Sequence, residues 1–120
     1  MSKDQYLTKK VSYRVTKDFN ARFMKACEER GKVAAKLKRN WALNFMATND
    51  PNGGGAVGFK ILKIEASEDV INDQVYFSTI EEKAAFIEYC DKKSISPSDF
   101  FRTCEYNFIM TGDPTGQGNV

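Results

Sequence analysis

The feature that most restricts the fold is a six-residue run near the start of the chain, Lys10-Val11-Ser12-Tyr13-Arg14-Val15, in which apolar and polar side chains alternate without a break. Alternation of period two, built from β-branched and aromatic residues, predicts a strand with one buried side, here Val11, Tyr13 and Val15. The other side carries Lys10, Ser12 and Arg14. It is therefore cationic and rich in hydrogen-bonding groups. An ordinary sheet edge, whose lysine and arginine guard against aggregation, would show the same pattern.

The residues that follow change period. Thr16 is placed to cap a helix, with Asp18 in its first turn. Phe19, Phe23 and Cys27, with Ala26, recur at steps of three and four, which is one helical face. Gly31 ends that helix through a left-handed residue. A second helix is predicted from about Val33 to Met46, with Leu37, Trp41 and Phe45 inward and Lys36, Lys38, Arg39 and Asn40 on the opposite face. The order is strand, helix, tight turn, helix.

Asn49-Asp50-Pro51-Asn52-Gly53-Gly54-Gly55 is a breaker and linker. It lacks the spacing and the lysine of a phosphate-binding loop. Val57 to Glu65 alternates loosely and predicts an extra strand, and Glu68 to Asp73 reads as a turn or connection. Val75 and Phe77 then alternate with Gln74, Tyr76 and Ser78, which predicts a short strand. A helix follows from about Thr79 to Lys93, carrying Ala84, Ile87 and Cys90 with Phe86 beside them. Ser96 as cap, Pro97 at the first helical position and Asp99 in the first turn start a last helix, which runs to about Met110. It presents Phe100, Phe101, Cys104 and Phe108.

The organisation read from this pass is a flexible arm (1–9), a first strand–helix–helix unit (10–48), a Gly-rich linker with an extra strand (49–72), a second unit (73–110) and a disordered, Gly-rich polar tail (111–120). The two units can be laid over each other with an offset of 63 residues. Cys27 then meets Cys90, Leu37 meets Phe100, and Phe45 meets Phe108. The strands fit less well, because Val15 would face Ser78. A one-residue insertion before Phe86 would repair the match.

Composition narrows the function. Histidine is absent, which removes the commonest general base and the commonest metal ligand. The three cysteines, Cys27, Cys90 and Cys104, match neither a disulfide framework nor a paired metal motif, and Cys27 and Cys90 read as small core hydrophobes. No catalytic residue, metal site or cofactor is expected, and the chain does not read as an enzyme. No apolar run is long enough to cross a membrane and no secretion signal opens the sequence, so a cytoplasmic protein is expected. Charge is unevenly spread. Residues 1–50 hold twelve Lys or Arg against five Asp or Glu, a net +7, whereas residues 51–120 hold six against eleven, a net −5. A basic half beside an acidic half suggests that the first half meets a polyanion.

The strand KVSYRV, the cap Thr16, the stripe of Phe19 and Phe23, and Gly31 before the second helix together resemble the ribbon–helix–helix repressors of the Arc and CopG type. SISPSDFFR (residues 94–102) resembles the inter-helix turn of that family. The likeness covers about 75 of the 120 residues. It implies an α+β, mainly helical fold in one or two copies per chain. Two antiparallel strands would form a ribbon that enters the DNA major groove, where base edges are distinguishable. Carried over by position, the base-contacting residues would be Lys10, Ser12 and Arg14, with Gln74, Tyr76 and Ser78 from the second unit. Phosphate contacts would come from Lys9, Lys32, Val33, Lys36 and Ser96, through charge and helix N-termini.

A lone ribbon strand leaves its apolar side uncovered. Either two chains pair as a homodimer, or the second unit supplies the mate as an intrachain pseudo-dimer. The second case gives a neutral second face and an operator with unlike half-sites. The implied partner is double-stranded DNA, bound by a repressor, an antitoxin-like regulator, or an accessory factor of plasmid or phage. The competing reading is an interaction module whose basic half docks an acidic partner. The acidic C-terminal half offers a further protein-binding surface. Non-specific single-strand binding would call for aromatic residues interleaved with basic ones, which the first strand lacks.

Overall fold

The computed structural model describes residues 9–48 and 69–112. The expected arm and tail, for the most part, and the extra strand at 57–65 lie outside the described residues. The described chain is α+β and mainly helical, in the order β1 (Lys10–Thr16), α1 (Lys17–Glu29), α2 (Ala34–Thr48), β2 (Val70–Tyr76), α3 (Ile80–Lys92) and α4 (Pro97–Thr111). The two strands pair antiparallel as a two-stranded sheet, with Val11 opposite Val75, Tyr13 opposite Asp73, and Val15 opposite Ile71. No helix among the described residues is long and apolar enough to cross a membrane.

Local chemistry explains the boundaries. The Thr16 hydroxyl accepts from the Phe19 amide at 3.0 Å, the Thr79 hydroxyl from the Glu82 amide at 3.0 Å, and the Ser96 hydroxyl from the Asp99 amide at 3.0 Å. Each cap satisfies a donor that the first helical turn would otherwise leave open. Gly31 lies at φ +63, the left-handed conformation that costs glycine nothing, and the Lys32 amide closes back on the Cys27 carbonyl at 2.9 Å.

All four helices begin at positions 63 apart between halves: 17 and 80, 34 and 97. The strands keep a different step. Val15 and Phe77, each the last inward residue before its helix, are 62 apart and both buried. Ser78 lies between Phe77 and the cap Thr79, whereas Val15 is followed directly by the cap Thr16.

The sequence reading is corrected at four places. Residues 70–73 are strand, not turn, because Val70 to Asp73 pair with Thr16 to Tyr13. Ser78 lies beyond the strand, its amide donating to Glu82 Oε1 at 3.1 Å. Ala84 and Ile87 face outward, and the inward side of α3 is Phe86 and Cys90. Phe86 settles that rotation by packing on Phe77, Phe100 and Phe101, with ring centroids 5.3–5.5 Å apart. Lys38 is buried, not solvated, for reasons given below.

One core joins the halves. The ribbon's inner face meets helices of both, since α4 packs on β1 and α2 on β2. Tyr13 stacks on Phe101 at 5.2 Å, and Phe45 stacks on Phe100 at 4.6 Å. Phe23, Trp41 and Phe108 form a second aromatic contact group across α1, α2 and α4. Each fully buried phenylalanine contributes about 1.5–3 kcal/mol through the apolar area it removes from water. Cys27, Cys90 and Cys104 are buried free thiols inside this core.

Candidate nucleic-acid interface

Because strand side chains alternate, the outer face of the ribbon is fixed once the inner face is buried. The register sets four outward cross-strand pairs in a row; Thr16 with Val70 closes the face at the α1 cap, and the three polar pairs beyond it are Arg14 with Asn72, Ser12 with Gln74, and Lys10 with Tyr76. Ser12, Arg14, Asn72 and Tyr76 are exposed, and Lys10 and Gln74 are partly so. All six side chains can hydrogen-bond, and two are cationic. Of the residues expected to meet bases, the structure brings five together on this face and leaves Ser78 off it. Asn72 is the member that the sequence reading missed. It stood in a segment read as a turn, and only its pairing with Arg14 reveals it.

The face is partly preorganised. The Tyr76 hydroxyl donates to Gln74 Oε1 at 2.7 Å, along the same strand. Arg102 reaches from α4 to the backbone of β1, its Nη1 donating to the Arg14 carbonyl at 2.7 Å. Its Nη2 bonds Asp99 Oδ1 at 3.0 Å. The ribbon is extended past both ends by backbone bonds, from the Phe77 amide to the Lys9 carbonyl at 2.7 Å and from the Lys17 amide to the Asp69 carbonyl at 2.9 Å.

Four of the five residues expected at phosphates sit at two unlike helix starts. Lys32, Val33 and Lys36 are exposed around the first turn of α2, which contains no acidic residue. Ser96 caps α4, where Asp99 occupies the first turn. A helix N-terminus favours an anion, but a carboxylate already there competes with one. The α2 end is the better anion site of the two. Lys9 is exposed beside the start of β1.

Beneath the ribbon lies a polar cluster that no spacing announced. Lys38 Nζ bonds Asp73 Oδ2 at 2.5 Å and stands 5.5 Å from the ring centroids of both Tyr13 and Phe23. The Tyr13 hydroxyl makes a long contact to the same carboxylate oxygen at 3.5 Å. Glu105 is wholly buried nearby and interacts with the Tyr13 hydroxyl, but among the described residues no contact to its carboxyl oxygens reaches good hydrogen-bond geometry. Burial pushes its carboxyl up to about 8, opposed by the charge of Lys38 and reinforced by that of Asp73. Glu105 is therefore largely protonated at neutral pH. Tyr13 is pushed far above the usual phenol range by burial and by the two carboxylates.

At the surface, Arg39 holds Glu82 with two hydrogen bonds, at 3.0 and 3.2 Å, and this pairing lowers the Glu82 carboxyl below its usual range. Neither a protein-family model, nor a curated protein, nor a solved structure matches the chain.

Proposed function

We propose that the chain is a sequence-specific double-stranded DNA-binding protein of ribbon–helix–helix type. In this reading one chain supplies both strands of the ribbon as a pseudo-dimer. The ribbon enters the major groove, and the start of α2 with Lys32 and Lys36 holds a phosphate. The protein would act by binding, as a transcriptional repressor or an accessory DNA-binding factor, and not as an enzyme.

The observation that carries this reading is the outer face of the ribbon. Six hydrogen-bonding side chains line up on a two-stranded surface of the kind that fits a major groove, with Arg14 fully outward. A sheet edge merely protected from aggregation has no need of Asn72, Gln74 and Ser12 in the same row. The uneven charge adds to it, because the strand with the two cations belongs to the basic half.

Titrating the protein with a random duplex at increasing salt tests the proposal. Counterion release predicts that log affinity falls linearly with log salt. Lys36→Ala should weaken all duplexes alike and make that slope shallower by about one. Absence of duplex binding at low salt would remove the proposal in favour of a module whose basic half docks an acidic protein.

A further inference from the structure

The cross-strand register carries the reading further, to the kind of duplex sequence the ribbon takes, an inference that rests on the DNA-binding proposal above. In a symmetric ribbon the two ends of the outer face would present the same pair of residues. Here they do not. Among the three polar pairs, one end is Arg14 beside Asn72, with Thr16 and Val70 beyond it, the centre is Ser12 beside Gln74, and the other end is Lys10 beside Tyr76. The contrast therefore runs along the ribbon, from end to end, and each end draws one residue from each strand.

We propose that the ribbon reads DNA directionally, with the Arg14–Asn72 end as the base-specific end and the Lys10–Tyr76 end as the tolerant one. Arginine matches the two acceptors on the guanine edge, and asparagine matches the acceptor and donor of adenine, each in a bidentate manner. Both side chains are exposed. The backbone under Arg14 is also held, through the bond from Arg102 that Asp99 orients. Arg39, the residue 63 positions earlier on α2, makes no corresponding bond to β2 but is turned to Glu82.

At the opposite end the chemistry is looser. Lysine is a point charge without a fixed fork of donors. The Tyr76 hydroxyl is already engaged by Gln74, so what Tyr76 offers a groove is chiefly its ring, suited to apolar contact with a thymine methyl. The duplex that fits is thus non-palindromic. A stringent arm carries guanine and adenine under Arg14 and Asn72, and a permissive arm lies under Lys10 and Tyr76.

Selection of bound sites from a random duplex library, with the full chain and its variants, tests this. The wild type should enrich a non-palindromic motif with one well-defined arm. Asn72→Ala should erase the adenine preference in that arm, and Arg14→Ala the guanine preference, each lowering affinity for the selected duplex roughly 10–100-fold. Lys10→Ala should lower affinity for every sequence while leaving the motif unchanged. Thermal melting of each variant, all altered on the outer face, should match the wild type. A palindromic motif, or one that survives both Asn72→Ala and Arg14→Ala, would overturn the directional reading while leaving DNA binding intact. Failure to enrich any duplex would instead overturn the DNA-binding proposal and this inference with it.

Discussion

The two halves of the molecule share an element order, helix lengths and the threonine caps Thr16 and Thr79, yet differ where their helices meet the ribbon. With the 63-residue step between helices, Lys38 on α2 occupies the place that Phe101 takes on α4, and Ala42 the place of Glu105. The first half thus contributes a buried cation, and the second half a buried carboxyl together with Asp73. Pairing like with like would bring two Lys38 ammoniums, or two Asp73 carboxylates, toward the same ribbon. Pairing unlike halves satisfies Lys38 with Asp73. The Lys38–Asp73 pair, which only unlike halves can form, favours the mixed ribbon over the two symmetric ones, much as a buried polar residue fixes partner choice elsewhere.

The comparison can be broken first in what the halves share. Phe23 and Phe86 are 63 apart and both fully buried, so Phe23→Ala and Phe86→Ala should each cost about 3–5 kcal/mol. Denaturant unfolding should show one transition in both cases, because one core spans the halves. Separate transitions for the two halves would contradict a shared core.

The next effect lies in what the halves do not share. Lys38→Met removes the cation but leaves Asp73 and Glu105, and should destabilise by about 3 kcal/mol, the scale for stranding one partner of a buried pair. Asp73 is partly open to solvent, which keeps the loss near the lower end. A neutral result would show that the ion pair does not specify the ribbon.

Glu105 sharpens the contrast through pH. Its carboxyl titrates near 8 when folded and near the ordinary value of 4.5 when unfolded. Between these values the folded state binds more protons than the unfolded one, so stability falls as pH rises from about 5 to about 8. This group contributes up to about 1.4 kcal/mol per pH unit in that window. Glu105→Gln should flatten that part of the stability–pH curve, and an unchanged slope would contradict it. The smallest effect is expected at Lys92, whose ion pair with Glu88 is about 70% exposed on both sides. Lys92→Ala should change stability by no more than about 0.5 kcal/mol in chemical denaturation.

How much of this was legible in the sequence follows from the range of each interaction. The first strand, the caps Thr16 and Ser96 and the stripes Phe23–Cys27 and Trp41–Phe45 rest on periods and on bonds three residues long, and those signals are local. The start of β2 was not legible, because Asn72 and Asp73 disfavour strand on their own and are held there by Arg14 and Tyr13 some sixty residues away. Lys38 read as a surface residue for the same reason, since its partner is thirty-five positions distant. On the candidate face, alternation alone identified Lys10, Ser12 and Arg14. Asn72 and the end-to-end asymmetry needed the register.

Whether the ribbon is the DNA-contacting surface can be read from backbone amide shifts by NMR as an isotope-labelled sample is titrated with a selected duplex. The largest changes should fall on residues 10–16 and 70–76 and on the first turn of α2. Changes concentrated on the acidic surface of α3, with the ribbon silent, would contradict it.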